Sequence, residues 1–426
     1  MRVLLFRMLC DTGGVSSSML LLGRGLVRRG IECEYWFCQP SSRLPEFTAT
    51  GRATVGSLPA LAKRLERGDF DVVQMTASDP AALVVSRLAG PARVIVSARG
   101  ALSDIWHRDN CFAYTAISRG MAELNQPFTE LEIEVVHNAI DVEVYAPPAE
   151  HDAGGGAPIV AFVGRTTAVE KDFPRFTRIA RRLIDRGARV WIADPHAGRW
   201  EQFAGLPVEQ FAAERWEPVP HESIADFYRA VAASNGVVLM TSRSEGFGNV
   251  APEAAACGAR VAAPDVMGLR DAVIDGETGM LYPATASDDE VAERVARWLE
   301  SPHDMARCAE AARRAFSADT MVERYAAIYE RVEQRLHARD DRTKPTHDSD
   351  VPGVAHLVEH LGRQRRWRAT VARQAAAELA RDGRRREALR VLADGFRAVP
   401  TQLLSATALR QLAHAGAGLV RPARRA

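Results

Sequence analysis

The sequence predicts an α/β protein with two doubly wound parallel-sheet domains and a C-terminal helical appendage. Short β-branched apolar runs alternate with amphipathic helical patterns, the mark of parallel sheets covered by helices. The alternation is interrupted once, by the Pro- and Gly-rich stretch APPAEHDAGGGAP, and then resumes. The 426 residues exceed one ordinary core and suit two domains of about 150 residues with a remainder.

The first series opens with strand RVLLF, a loop containing Gly13 and Gly14, an apolar helix through Arg29 stopped by Gly30, and strand ECEYWF. Strands DVVQM, RVIVS and EVVHN follow, so residues 1–146 read as one domain and 147–158 as an exposed linker. The second series runs through strand IVAFV, helix FTRIARRLIDRG, strand RVWIA, helix ESIADFYRAVAAS, strand GVVLM and helix APEAAACG. With helices DDEVAERVARWLES and MARCAEAARRAF it occupies 159–318. A closing helix over 319–338 is expected to cross back to the first domain. Residues 339–354 form a charged linker, and 355–426 a basic helical tail. Within the tail, REALRVLADGFRAVP weakly resembles one helix of a tetratricopeptide repeat, but a single copy makes no array.

Composition excludes collagen, disorder and a membrane-embedded channel: 47% of residues are hydrophobic and 26% charged, near the soluble average. A formal charge of +1 argues against a dedicated nucleic-acid binder. The charge is unevenly placed. From Pro345 to Ala426 there are 15 Arg against 7 acidic residues, a net +8 that leaves −7 on the body. Lysine is rare, confined to Lys63, Lys171 and Lys344. Six cysteines without CxxC spacing predict reduced thiols, and with no secretory pattern or apolar run of about 18 residues they predict a cytoplasmic protein.

The chemistry concentrates in SEGFGNVAPEAAACG. Glu245 falls in a turn after strand GVVLM, and Gly246 and Gly248 let backbone N–H groups approach a ligand. A helix beginning near Val250 adds partial positive charge, suited to phosphate. Glu253, in its first turn, offers two acceptor oxygens that match a ribose diol. In FVGRTTAVEKDF, Arg165 and Lys171 lie beyond a strand's carboxyl end, where open α/β sheets bind ligands. A chain that writes arginine so much more often than lysine still places Lys171 here, which points to a compact point charge.

The segment resembles the donor site of retaining glycosyltransferases of family 4, which have the GT-B fold of two Rossmann-like domains facing a cleft. Glu245 and Glu253 have seven residues between them, and Glu245–Gly248, Glu253-Ala254 and Cys257-Gly258 match the family's spacing. DGETGMLYP is similar to its later strand turn, and VVHNAIDVEVYAP to its segment before the linker, with Ala139 in place of the usual glycine. The resemblance implies that Arg165 and Lys171 hold the donor diphosphate and that Glu245 binds sugar hydroxyls. It also implies that Gly246, Phe247, Gly248, Asn249, Val250 and Glu253 line the donor site, with Gly13 and Gly14 facing it from the loop DTGGVSSS. G-x-G-x-x-G is absent from that loop, which counts against a dinucleotide. Many family members carry a histidine after the strand equivalent to RVIVS, where this chain has Arg99. Either Arg99 contacts acceptor or phosphate, or His107 takes a related place.

Other patterns read as solvated structure. Asp69-Phe70-Asp71 and Asp348-Ser349-Asp350 have a D-x-D form but sit at turns, and His356, Glu359 and His360 lack a third zinc ligand. The expectation is a metal-independent retaining hexosyltransferase without cofactor, using a UDP- or GDP-sugar donor and a glycan or lipid-linked glycan acceptor in bacterial surface-glycan or glycolipid assembly. Its basic tail would contact anionic lipid on the inner face of the membrane. A nucleotide-sugar epimerase of the same fold and a non-catalytic scaffold are the competing readings.

Overall fold

The computed structural model describes residues 1–10, 14–39, 41–79, 81–99, 106–148, 156–194, 215–217, 219 and 223–338. The linker core, Gly13, the D-x-D of Asp348 to Asp350, the His356–His360 pattern and the basic tail lie outside these residues. Among the described residues two compact units emerge, Met1–Val94 with Val332–Ala338, and Ile95–Arg331.

In the first unit four parallel strands lie in the order β3-β2-β1-β4: β1 (Arg2–Leu9), β2 (Glu32–Gln39), β3 (Arg52–Val55) and β4 (Val72–Thr76). Helices α1 (Gly14–Arg28), α2 (Leu44–Thr48), α3 (Leu58–Glu66) and α4 (Ala82–Ala89) connect them. β3 escapes pattern reading because it is a four-residue edge strand with no fully buried side chain. Asp69 is paired with Arg64 and Arg67, and Asp71 accepts from the Arg2 amide at 2.7 Å. Both carboxylates therefore serve the turn.

The second unit contains three further strands of a seven-stranded parallel sheet and a separate six-stranded sheet. Strands β5 (Val94–Ala98), β6 (Ala113–Ala116) and β7 (Ile133–Val135) form one run, with α5 (Arg119–Asn125) between the last two. The strand expected over EVVHN ends at Val135, which leaves His137 and Asn138 in irregular backbone. The other sheet has six strands in the order β10-β9-β8-β11-β12-β13. They are β8 (Ile159–Val163), β9 (Arg189–Ala193), β10 (Arg215–Glu217), β11 (Val237–Leu239), β12 (Arg260–Pro264) and β13 (Met280–Tyr282). Helices α6 (Phe173–Ile184), α7 (Ile224–Ala233), α8 (Val250–Ala256), α9 (Leu269–Ala272), α10 (Asp288–Glu300) and α11 (Met305–Phe316) connect or flank them, and α12 (Ala318–Ala338) follows.

Phe162, Phe173, Phe176, Ile179, Val190, Ile192, Val237 and Leu239 interlock in the core of this sheet. A central strand, β12, was invisible to pattern reading because its residues are Arg, Val, Ala, Ala and Pro. Arg260 is fully buried there. Its guanidinium binds the Trp298 and Ser301 carbonyls and lies over the Trp298 ring, 5.3 Å from the centroid, so it closes the end of α10. The start of α10 is a capping box, Ser287 with Glu290. Arginines of α6 pair with its acidic first turn: Arg175 and Arg178 with Asp288, and Arg182 with Asp289.

Candidate active site

Two loops beyond strand carboxyl ends bring the central pair together. The loop after β8 ends in a 3₁₀ turn, Val169–Lys171, followed by Asp172 in the left-handed region at φ 46°. Asp172 caps α6 through the Arg175 amide and also accepts from Arg243 Nε at 2.8 Å. Thr241 Oγ1 donates to the carbonyls of Lys171 and Asp172 at 2.9 and 3.1 Å, and the Arg243 amide donates to the Glu170 carbonyl at 2.7 Å. These contacts stitch the β8 loop to the β11 loop. As a result Lys171 Nζ lies 2.6 Å from Glu245 Oε1, which also accepts from Ser242 Oγ at 2.8 Å.

Glu253 stands in the first turn of α8, where Tyr228 Oη donates to its Oε2 at 3.2 Å. Burial pushes this carboxyl up to about 7, although the Tyr228 hydrogen bond and the Lys171 charge oppose the rise. The Tyr228 hydroxyl is held well above its ordinary range, first by burial and then by Glu253. Lys171 thus pairs with one glutamate and acts electrostatically on the other.

Around this centre, Arg99 Nη1 donates to Asn138 Oδ1 at 2.9 Å, and Asn138 Nδ2 to Asn249 Oδ1 at 3.1 Å. Asn249 precedes α8 but makes no side-chain cap. Gly248 has φ 92°, and a Cβ there would lie 2.5 Å from Leu269 Cδ2. The Phe247 ring is buried, stacked on His137 with centroids 5.6 Å apart and edge-on to Phe316. Arg165 is more than half exposed and pairs with Glu170 at 3.0 Å. His107 Nδ1 lies 2.7 Å from Glu130 Oε2. The Arg108 amide, then the amide of Glu130 itself and then His107, hold that exposed carboxyl down to about 2. Gly14 opens α1 in the first unit.

Three residues absent from the sequence reading adjoin this turn. Asp271 accepts from the Arg119 amide at 3.0 Å and Arg119 Nε at 2.7 Å, and its Oδ1 is 3.3 Å from His137 Nε2. Burial works against the Asp271 charge, but His137 and Arg119 outweigh it and keep the carboxyl below its usual range. The signal for a histidine partner was present in HNAID, yet nothing local tied it to an aspartate 134 positions later, as Asp271 minus His137 gives.

Residues 149–315 match the family model of glycosyl transferases group 1, and residues 58–206 that of glycosyltransferase family 9 (heptosyltransferase). A D-inositol 3-phosphate glycosyltransferase of Kribbella flavida is 35% identical over 181 residues, 37% of this chain and 41% of that protein. Its namesake from Streptosporangium roseum is 30% identical over 227 residues, 48% of this chain and 51% of that one. The chain thus spans about half, or less, of these curated relatives. Among solved structures, a glycosyltransferase from Rickettsia africae gives a TM-score of 0.63 at 16% identity, covering 78% of this chain and 99% of that one. Anabaena HepE in complex with UDP gives 0.62 at 16% identity, covering 78% and 100%. The chain has the GT-B glycosyltransferase fold. Its second sheet and the loops that carry Lys171, Glu245 and Glu253 fall within the group 1 match.

Proposed function

We propose that the protein is a retaining glycosyltransferase of family 4 type. It would transfer a hexose-like sugar from a nucleotide diphosphate sugar to an acceptor hydroxyl, without a metal ion or other cofactor. The observation that carries this reading is the 2.6 Å approach of Lys171 to Glu245, with Glu253 within reach of the same charge. A lysine between two carboxylates supplies a cation for a diphosphate and acceptors for sugar and ribose hydroxyls. The group 1 match and the UDP complex of the HepE neighbour support a nucleotide-sugar donor.

In this reading the acceptor oxygen attacks the anomeric carbon on the face that the diphosphate leaves. The carbon–oxygen bond to phosphate breaks, and a phosphate oxygen takes the acceptor proton. Lys171, Arg165 and the backbone N–H groups of the Gly246–Val250 turn stabilise the charge that develops on the diphosphate. Glu245 orients the sugar and Glu253 the ribose. The acceptor belongs to bacterial surface-glycan or glycolipid assembly; the relatives named for D-inositol 3-phosphate make a phosphorylated polyol the first acceptor to assay. Localisation is cytoplasmic, with the Arg-rich tail on anionic lipid at the inner face.

A thermal-shift panel of UDP- and GDP-sugars tests the donor site, because a ligand of the folded state raises the melting temperature. Stabilisation by one nucleotide series, lost in Lys171→Ala, is the expected result; no shift with any donor would refute it. Incubating donor without acceptor separates the epimerase, which converts it outright, from a transferase, which hydrolyses it slowly at most. Deleting Pro345–Ala426 should abolish liposome binding and spare transfer to a soluble acceptor, whereas unchanged liposome binding would exclude the membrane role.

A further inference from the structure

The Glu245–Gly248 turn is held from behind by three segments, and Asp271 joins them, two through its buried carboxylate and its own through its backbone amide. Ser118 Oγ donates to the Gly246 carbonyl at 2.8 Å. His137 stacks on Phe247. Gly268, at φ 83°, lies so close that a Cβ would be 2.3 Å from the Glu245 carbonyl oxygen. Asp271 binds the amide and side chain of Arg119, next to Ser118. Its Oδ1 lies 3.3 Å from His137 Nε2, and its own amide donates to the Gly268 carbonyl at 3.1 Å.

The Asp271 side chain is only 2% exposed. Burying a carboxylate has a desolvation cost that an apolar residue of similar size would avoid. Packing alone therefore gives no reason for an acid here. What the charge adds is directional: it draws the Ser118–Arg119 and His137 segments to the Gly268–Asp271 turn, and each of the three touches a different residue of the Glu245–Gly248 turn.

We propose that Asp271, through His137 and Arg119, is a positioning residue that sets the Glu245–Gly248 turn for the nucleotide diphosphate. This rests on the donor-site reading above. Neither Asp271 nor His137 needs to touch the donor, since Phe247 and the backbone of Gly246 transmit the placement. Small displacements of such donors lower binding and rate steeply.

The test is calorimetric titration of the full-length protein with UDP and with GDP, well below each variant's melting temperature. The variants are Asp271→Asn, His137→Ala and His137→Phe. Wild type is expected to bind one of the two nucleotides. Asp271→Asn and His137→Ala should weaken that binding about tenfold, and His137→Phe, which keeps a ring against Phe247 but has no nitrogen to face Asp271, should recover only part of the loss that His137→Ala causes. A general loss of stability would not distinguish alanine from phenylalanine in this way at a temperature where both are folded. Wild-type affinity in folded Asp271→Asn, or in folded His137→Ala, would overturn the inference and leave the donor reading standing. If Asp271→Asn does not fold, His137→Phe decides the matter: a partial loss of affinity supports the inference, and wild-type affinity would overturn it. Failure of wild type to bind either nucleotide would refute the donor reading itself, and the inference with it.

Discussion

Lys171 Nζ lies 2.6 Å from Glu245 Oε1 across 74 residues of chain, and the two side chains are only 17% and 13% exposed. Each loop is pinned to the other by backbone contacts, so the pair is preorganised and does not depend on a long side chain searching for a partner. A ligand that engages Lys171 must share or replace Glu245, which couples recognition of the diphosphate to recognition of the sugar.

Lys171→Ala should lower transfer by about 10²–10³, the usual loss when one preorganised charge donor is removed. Lys171→Arg should recover less than about tenfold of it, because a planar fork cannot occupy the place of a compact ammonium beside Glu245 and Ser242. Arg165→Ala should cost less, since Arg165 is exposed and its partner is Glu170. Steady-state kinetics with the stabilising donor will check the order of the three.

Glu253 makes the site sensitive to pH. Its carboxyl is raised to about 7 in the folded state, above the ordinary 4.5, so between these values the folded protein binds more protons than the unfolded chain. Its contribution to stability is present below about pH 4.5 and is lost as pH rises through 7. A ribose diol prefers the ionised carboxylate, so nucleotide affinity should rise from pH 6 to 8. Glu253→Gln should flatten that rise and make the ligand-free protein more stable at pH 8, which calorimetry and thermal melts will measure.

Gly268→Ala should be destabilising by roughly 1–3 kcal/mol, because alanine is strained at φ 83° and its Cβ would strike the Glu245 carbonyl. Nucleotide binding should weaken as well, since the displaced atom belongs to the donor turn. An alanine variant with wild-type melting temperature and nucleotide affinity would contradict this.

The arginines of α6 should give a salt-dependent part of the stability. Asp288 faces both Arg175 and Arg178, and Asp288→Asn should cost about 1 kcal/mol at low ionic strength. The difference in melting temperature should shrink in 0.5 M salt, where the Debye length approaches about 3–5 Å.

Long, regular elements were legible in the sequence. Helices α6, α10 and α11 follow an apolar period and carry caps, and β1, β2, β8 and β9 are β-branched or aromatic runs. Strands β3, β6 and β12 were not, because RATV, AYTA and RVAAP set at most two β-branched or aromatic residues among small or polar ones and β12 contains a buried arginine. For the site, the spacing of Glu245 and Glu253 and the isolation of Lys171 in an arginine-rich chain were local signals. His107 carried an equally visible local signal, and the structure pairs it with Glu130.

The sequence alone determined the alternating α/β order, the two glutamates with seven residues between them and the scarce lysine beyond a strand end, all properties of neighbours in the chain. Only the tertiary structure decided that Lys171 meets Glu245 and that Asp271 draws Arg119, His137 and Gly268 behind the same turn. Those contacts join loops from different strands, and their partners are chosen by sheet order and burial, which no local spacing encodes.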